Sequence, residues 1–215
     1  MAVVQCWDDG VTTDIQLVEI LQRYNAKATF NLCLGLHESE RCFGWEHEGT
    51  EVQRLALTEL KDVYKDFTIA NHSMTHPRLE QLPAESLKHE IAEGRKLLQQ
   101  HFQQPVKGFA YPFGSYSEEV KKAVRKAGHG YARTTQNVNF PFPPEDPMAF
   151  HPCCHFLASD FWQRYKNAKS SGVFYFWGHS YEMISESMWL NFESMIKRIS
   201  NDSESCWIDV QDLFD

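Results

Sequence analysis

Short apolar segments of strand length alternate with amphipathic helical segments along this chain, and that alternation limits the fold more than any other feature. Strands separated by helices of about 10–15 residues pair in parallel through right-handed crossovers. We count seven to eight such units, a number that fits a barrel better than an open sheet. The sequence therefore predicts the α/β fold class, a (β/α) barrel of seven to eight parallel strands in a single domain over residues 1–215.

The predicted elements can be placed approximately from their periodicity. The strands cover residues 2–7, 28–34, 67–71, 106–111, 131–134, 173–177 and 206–210. The helices cover residues 13–24, 55–64, 84–101, 159–168 and 186–199, and a further helix begins after Ser117 and ends at Gly128. The polar segment through His37 and Trp45 carries no predicted element, and residues 137–147, with four prolines, are predicted to form a rigid surface loop.

Charge and hydropathy exclude several classes of partner. A formal net charge of −8 argues against nucleic acid as a partner, and no basic stripe is present for an anionic membrane. No apolar run approaches the roughly 20 residues needed to span a bilayer. The sequence as given predicts a cytoplasmic protein, although a secreted chain whose leader had been removed would look the same.

The six cysteines are predicted to be reduced, because none of them forms a C-x-x-C pair and several lie in apolar segments. One stretch, from His151 to His155, contains four potential metal ligands. Four ligands within five residues cannot easily converge on one tetrahedral ion, so we do not expect a metal site there.

Two adjacent carboxylates, Asp8 and Asp9, end the first predicted strand and are followed by Gly10. The carboxyl ends of strands are where open and barrel α/β folds hold their chemistry. The alternative interpretation is a hairpin turn, since Asp-Gly is a strong turn signal. We favour a functional role, because paired acids at a strand-to-helix junction suit metal binding or acid–base work.

Other candidate site residues also follow predicted strands. His72 and His76 come after the third strand, the run from Tyr111 to Gly114 after the fourth, and His179 after the strand at residues 173–177. In a closed parallel barrel these ends converge on one face. A carboxylate and two imidazoles leave positions on a divalent ion open for water and substrate, although either histidine could instead be structural.

Four motifs in order resemble the polysaccharide deacetylase family, the NodB-homology domain of carbohydrate esterase family 4. The Thr-Phe-Asp-Asp-Gly motif of that family resembles Cys6-Trp7-Asp8-Asp9-Gly10, and its His-Ser/Thr-x-x-His motif matches residues 72–76. Its aromatic-Arg-x-Pro-Tyr/Phe-Gly motif resembles residues 109–114, and its late Leu-x-His motif resembles Trp177-Gly178-His179. The resemblance covers residues 2–180, nearly the whole predicted domain.

The resemblance implies a distorted (β/α) barrel and a set of roles for these residues. Asp9, His72 and His76 would hold a divalent metal, with zinc favoured and cobalt or nickel as alternatives. Asp8 would be the general base and His179 the general acid, while the backbone N–H of Phe113 would stabilise the oxyanion.

The chain departs from the family pattern at two places. Ala110 stands where most members carry an arginine that orients the base; Arg133, after the next strand, either takes over that task or is a surface cation. The Asp-Trp pair that tunes the acid histidine has no clear counterpart, and the nearest residues in type are Asp160 and Trp162 on a predicted helix.

Two aromatic residues, Tyr111 and Trp177, are candidates for substrate binding, because flat rings can stack on sugar faces. Aromatic residues are also the ordinary filling of a small barrel, and Glu182 either lines the rim or faces solvent.

The resemblance implies a metal-dependent enzyme that removes acetyl groups from N-acetylated sugars. The alternatives are an amidase acting on a small non-sugar C–N bond and a sugar-binding barrel that keeps the metal with little turnover. Asp8 beside Asp9 argues against the last alternative, because metal binding requires only one of the two carboxylates.

Overall fold

A parallel sheet of eight strands carries the functional part of the molecule in this computed structural model, which describes residues 1–214. Its strands are β1 (Ala2–Asp8), β2 (Thr29–Leu32), β5 (Thr68–Asn71), β6 (Gly108–Ala110), β7 (Tyr131–Arg133), β8 (Cys154–His155), β9 (Val173–Gly178) and β10 (Cys206–Trp207). The order is β7-β6-β5-β2-β1-β9-β8, and β10 pairs with the start of β1. A parallel bridge from Arg133 to Phe150 links β7 to the segment before β8, which curls the sheet towards a barrel.

The predicted (β/α) barrel is therefore confirmed, and the central strands show why it forms. Residues Val3 to Asp8 of β1 are all buried, as are all four residues of β2 and of β5. Strands that are covered on both faces belong to parallel sheets wrapped by helices, whereas half-exposed strands alternate in polarity. The larger apolar core joins β1, β2 and β9 to the helices around them, and a smaller one lies under β6.

The helices follow the strands as predicted, but the helix predicted over residues 55–64 covers only Leu60–Val63. They are α1 (Asp14–Arg23), α2 (Leu60–Val63), α3 (Ala84–Lys88), α4 (Gly94–Phe102), α5 (Glu118–Lys126), α6 (Phe161–Ala168) and α7 (Glu186–Ser200). A π-helical turn, His89–Glu93, joins α3 to α4. The cap predicted at Ser117 is present, because the Ser117 hydroxyl accepts the Val120 N–H.

The segment without a predicted element differs from expectation. It forms an antiparallel hairpin of β3 (Cys42–His47) and β4 (Thr50–Arg54) outside the main sheet. Glu48 and Gly49 at its turn both have positive φ, 46° and 77°. Two-residue turns of this kind usually carry Asn-Gly or Asp-Gly, so Glu-Gly gave little signal in the sequence.

The predicted state of the cysteines is confirmed, since all six are free thiols. Within the described residues, no helix is both long enough and apolar enough to cross a bilayer.

Candidate active site

The carboxyl ends of the strands bring the predicted site residues together at one end of the barrel. Asp9 follows β1, and its carboxylate lies 4.0 Å from Nε2 of His72, which follows β5. The same oxygen lies 3.9 Å from Nε2 of His76, and the two imidazole rings are 4.7 Å apart. One ligand atom from each residue lies within 4.8 Å of the other two. The side chains of the three predicted metal ligands, Asp9, His72 and His76, therefore lie together in one small space.

Local structure turns both imidazoles towards Asp9. The Ala110 carbonyl accepts a hydrogen bond of 2.8 Å from Nδ1 of His72, which leaves the Nε2 lone pair free on the side of Asp9. Asp9, Ser73 and His76 have φ of 85°, 66° and 59°, and the Ser73 hydroxyl accepts the His76 N–H. Three non-glycine residues in the left-handed region at one place are a form of backbone strain typical of functional sites.

The protonation state of His72 and His76 favours the binding of a cation. Burial lowers the pKa of His72 and lowers the pKa of His76 to about 4, although nearby Asp8 and Asp9 act in the opposite direction. Both imidazoles are therefore neutral at neutral pH. Metal binding requires neutral histidine and ionised carboxylate, so no proton has to be removed from either ring.

The triad fits a divalent ion with one small adjustment. Separations of 3.9 and 4.0 Å between Asp9 and the imidazoles are wider than the about 3.3 Å expected for ligands at zinc bond lengths near 2.0–2.1 Å. A closure of a few tenths of an ångström by each side chain makes up the difference. One carboxylate and two imidazoles are a donor set that transition-metal ions accept, with positions left for other ligands.

Replacement of His76 by glutamine should weaken zinc binding by more than about 100-fold, because one of three protein ligands is lost and even outer partners of ligands are worth 10–100-fold. Competition of the purified chain with a zinc-sensitive dye measures the change. His89→Gln, on an exposed histidine, is the matched control. Equal zinc affinity in the His76 variant would exclude His76 from the metal site.

The second carboxylate, Asp8, lies deeper and has different partners. Its side chain is 2% exposed, accepts a hydrogen bond of 2.7 Å from Asn31, and forms an ion pair with Arg133. Burial alone would raise the pKa of Asp8, but Arg133 and the nearby histidines outweigh it and hold the pKa well below its usual range. Asp8 is therefore ionised at all physiological pH values.

Arg133 is a buried partner of Asp8, so the surface-cation alternative is wrong. Its side chain is 1% exposed and its guanidinium lies 4.8 Å from the centre of the Trp177 ring. The register of β6 and β7 places Arg133 directly opposite Ala110. The arginine missing from residue 110 is thus supplied by the next residue across the sheet.

His179, after β9, faces the two carboxylates from the other side. Its Nε2 lies 3.7 Å from Asp8 and 4.0 Å from Asp9. Its Nδ1 donates to Glu182 over 3.2 Å, and Glu182 also accepts the His179 backbone N–H. Burial tends to lower the pKa of His179, but Glu182 and the two aspartates outweigh it and raise that pKa.

Glu182 is in turn held by His155 at the end of β8, with 2.9 Å between the carboxylate and Nε2. Nδ1 of His155 accepts the Leu157 N–H, which leaves Nε2 as the donor to Glu182. His155, His179 and Glu182 are close enough to form a second metal-type cluster, but these hydrogen bonds already account for their spacing. Burial raises the pKa of Glu182 and the two histidines lower it, with a net fall to about 2.

Neither Asp160 nor Trp162 has the role of tuning the acid histidine, His179. Asp160 is exposed and pairs with Arg164 on α6. Glu182 lies at the rim, one of the two alternatives left open for it, but the sequence interpretation did not assign Glu182 or His155 as partners of His179. The stretch from His151 to His155 forms no metal cluster within the described chain, because His151 bonds Thr134 while His155 bonds Glu182.

A further acid that the sequence interpretation missed supports the turn that carries His179. Asp14, at the start of α1, is fully buried and accepts hydrogen bonds of 2.5 Å from both Ser180 and Tyr64. Burial raises the pKa of Asp14 to about 7, against the opposing effect of those two bonds. Asp14 thereby ties the segment after His179 to the helix that follows Asp9.

The predicted substrate contacts have different environments. Tyr111 is fully buried and donates its hydroxyl to the Met148 carbonyl, so its ring offers no surface on which a sugar could stack. Trp177 is partly exposed beside His155 and His179. The Phe113 ring is 54% exposed and lies 4.6 Å from His76, at a residue whose φ is 59°.

Comparisons with known proteins identify relatives of this chain. The "Putative polysaccharide deacetylase YxkH" of Bacillus subtilis (strain 168) is 30% identical over 135 residues, which is 62% of this chain and 44% of the relative. The chain thus spans less than half of the length of that curated relative.

Solved structures share the fold at low identity. A family 4 carbohydrate esterase from Streptomyces lividans in complex with acetate has a TM-score of 0.61 at 15% identity, over 96% of this chain and 91% of that one. A mutant of a CE4 family pseudoenzyme with restored enzymatic activity has a TM-score of 0.63 at 18% identity, over 100% of this chain and 67% of that one.

The family model described as polysaccharide deacetylase matches residues 1–132. That range contains Asp8, Asp9, His72 and His76, while Arg133 and the residues after it lie beyond it. With more than half of the chain matched, and with the metal-type triad assembled at the strand ends, this chain belongs to the polysaccharide deacetylase family.

Proposed function

We propose that this protein is a metal-dependent hydrolase that removes acetyl groups from N-acetylated sugars. The observation that carries the proposal is that the two neighbouring carboxylates at one strand end have different partners. Asp9 lies 3.9 to 4.0 Å from His76, His72 and His179, whereas Asp8 pairs with the buried Arg133 and lies 3.7 Å from His179. A site that only bound a metal would need the first group alone.

The metal would be held by Asp9, His72 and His76, and we propose zinc, with cobalt or nickel as alternatives. A divalent ion at this place supplies Lewis-acid polarisation of the amide carbonyl and makes a water molecule more acidic. The chain's own residues then orient the substrate and move protons.

Asp8 would take a proton from the attacking water. Asn31 and Arg133 fix both of its oxygens, so its position does not depend on substrate. A carboxylate with such a low pKa is a weak base, and it can act only on a water molecule that is already unusually acidic. The closeness of Asp8 to the proposed metal triad meets that requirement.

The backbone N–H of Phe113 would donate to the carbonyl oxygen as negative charge develops there. Phe113 adopts left-handed backbone geometry in the turn Pro112–Gly114, and its ring packs beside His76. Pro112 restricts the backbone conformation at the start of that turn. Donors fixed before the reaction stabilise an oxyanion without reorganisation.

His179 would protonate the departing amine. Glu182 accepts its Nδ1 proton, which directs Nε2 towards Asp8 and Asp9. The same glutamate helps raise the pKa of His179, so more of the imidazole is protonated near neutral pH. Trp177 lies beside this imidazole, and we propose that its partly exposed ring contacts the substrate.

Glu182→Gln should lower the pKa of His179, because a neutral amide replaces a carboxylate. Activity that requires protonated His179 is lost as pH rises through its pKa, so the alkaline limb of kcat/KM should move to lower pH. One pKa unit corresponds to about tenfold in activity on that limb. The pH profile measures the shift, and Glu85→Gln, on an exposed acid of α3, is the control.

The leaving group tests the assignment of His179 itself. An amine departs poorly unless it is protonated, whereas a phenolate needs little help. His179→Ala should therefore slow hydrolysis of an amide much more than that of an aryl acetate. Parallel losses on both substrates would make His179 a packing residue at the rim.

Acetate release from a panel of N-acetylated sugars, and ring opening of small cyclic amides, both measured after loading with zinc or cobalt, test the proposed function. Acetate release from the sugars supports the deacetylase. Ring opening of the cyclic amides alone would indicate an amidase, and binding of sugars without any hydrolysis would indicate a metal-retaining carbohydrate-binding barrel.

A further inference from the structure

The hairpin of β3 and β4 has two different faces. On one face, the side chains of Trp45, His47, Val52 and Arg54 are buried or half-buried, whereas Phe43, Glu46, Glu51 and Gln53 on the other are exposed. The alternation is what a hairpin shows when one face packs against the protein. The half-buried face therefore lies against the rest of the molecule.

The hairpin is fixed to the loop that carries the two aspartates. The Thr12 N–H donates to the Gln53 carbonyl over 2.8 Å, and the Leu55 N–H donates to the Gly10 carbonyl over 3.1 Å. Arg54 forms a bridge with Val11 and donates from Nη1 to the Asp9 carbonyl over 3.1 Å. These bonds fix the position of the hairpin relative to the segment that follows Asp9, and therefore relative to the metal-type triad.

A row of rings leads from the acid histidine to the hairpin. The Tyr181 ring lies 4.9 Å from His179, 5.0 Å from Trp45 and 5.0 Å from His47. The guanidinium of Arg54 lies 5.0 Å from the centre of the Trp45 ring. We call Trp45, His47, Arg54 and Tyr181 the hairpin wall. It borders the site on the side of His179 and ends in a cation.

Within residues 1–214, Arg54 forms no ion pair with a carboxylate, although the chain has a net charge of −8. Among residues 1–214, the hydrogen bond found for its side chain goes to the backbone carbonyl of Asp9, and a guanidinium has five N–H donors. A partly exposed arginine stacked on an aromatic ring presents its planar edge to carboxylate or phosphate groups.

We propose that the hairpin wall is a subsite for a negatively charged sugar, in which Arg54 binds a carboxylate or phosphate group and the rings contact the sugar face. The proposal deepens the proposed function and rests on it, because the sugar would be the acetylated residue or its neighbour. A local cation is needed for such a substrate, since the acidic protein would otherwise repel it. Arg54 is the cation that the wall supplies.

Matched probes that differ only in charge test the subsite. The first pair is N-acetylglucosaminuronic acid and its methyl ester, and the second is N-acetylglucosamine with and without a phosphate on its primary hydroxyl. Carboxylates and phosphates also bind divalent ions, so the first titration uses the full chain after chelator treatment. The readout is the indole N–H resonance of Trp45, assigned with Trp45→Phe. The ratio of kcat/KM within each pair is then measured on the zinc-loaded chain.

At least one anionic probe should bind about tenfold more tightly than its neutral partner, which is the gain expected from one charge-assisted contact. The pair that shows the preference identifies carboxylate or phosphate as the group. Arg54→Gln should remove the preference and Arg54→Lys should keep part of it. Arg78→Gln, at a cation that instead lies over the Phe113 ring, should leave it intact.

Equal binding of charged and neutral probes, binding of neither, or a preference that survives Arg54→Gln would overturn the subsite. A preference lost in Arg78→Gln but kept in Arg54→Gln would place the anion elsewhere and also overturn it. The titration does not require turnover. An Arg54-dependent preference without any acetate release would therefore contradict the deacetylase function and leave the charged-sugar subsite standing.

Discussion

Asp8→Asn is expected to lower kcat by roughly 10²–10⁴-fold, the usual contribution of a positioned general base. Asparagine keeps the shape of the side chain but cannot accept a proton at neutral pH. Asp9, His72 and His76 are unchanged in this variant, so zinc affinity should stay close to that of the parent chain. Acetate release and zinc competition are measured on the same preparation.

The control for this variant is Asp160→Asn, which removes an exposed carboxylate paired with Arg164. Asp8→Asn also deprives Arg133 of its partner, so a thermal unfolding curve must show that the chain is folded at the assay temperature. Activity equal to that of the parent would exclude Asp8 as the base. Loss of zinc together with activity would make Asp8 a metal ligand.

Arg133→Met should reduce the free energy of unfolding by about 3–5 kcal/mol, the usual cost of removing one member of a buried ion pair. Methionine fills much of the space beside Trp177 but leaves Asp8 buried and charged. Denaturant unfolding of the metal-free chain measures the change. Addition of Asp8→Asn to Arg133→Met should recover part of the loss, since the uncompensated charge is then absent.

The decrease in the free energy of unfolding caused by Arg133→Met should change with pH in one definite direction. Arg133 holds the pKa of Asp8 well below its usual range, against the opposing effect of burial. A depressed pKa stabilises the fold at pH values above the unfolded pKa, near 4, and that contribution falls as pH drops towards the folded pKa. In the variant, burial raises the pKa of Asp8 without the opposing ion pair, so the difference between parent and Arg133→Met should be largest near neutral pH and shrink as falling pH protonates Asp8 in the variant. A difference in the free energy of unfolding that does not change with pH would show that the loss does not come from the charge of Asp8.

The barrel and the metal-type triad could be predicted from sequence because both depend on local signals. Buried strands are read from continuous apolar runs, and parallel strands place their carboxyl ends on one face. Asp9 and His72 follow such runs directly, and His76 lies in the loop that begins with His72, so their approach to one another depends on the topology and on one short loop. The triad was predictable for the same reason that the parallel barrel was.

The partners of Asp8 and His179 depended on register, which the sequence does not state. Arg133 meets Asp8 because β7 pairs with β6 so that residue 133 lies opposite residue 110. His155 reaches Glu182 because the two-residue strand β8 pairs alongside Trp177 at the end of β9. A shift of one residue in either pairing would turn these side chains to the other face.

The hairpin escaped prediction for a different reason. Its strands are mostly polar, Phe43 is exposed, and Trp45 packs against Tyr181 beside the site instead of in a common core. Its Glu48-Gly49 turn lacks the usual Asn or Asp. The half-buried face of such a hairpin becomes visible only when the aromatic side chain of Tyr181, more than 120 residues away in sequence, is in place.

The central claim is that one ion at Asp9, His72 and His76 supports the hydrolysis of an acetamide. Titration of zinc into the metal-free chain, with acetate release from an N-acetylated sugar followed at each step, tests it together with anomalous diffraction from the loaded crystal. We expect activity to rise linearly and level off at one zinc per chain, with the anomalous peak between the Asp9 carboxylate and the Nε2 atoms of His72 and His76. A peak at His155, His179 and Glu182 instead, or acetate release that does not depend on zinc or on another divalent ion, would contradict the account.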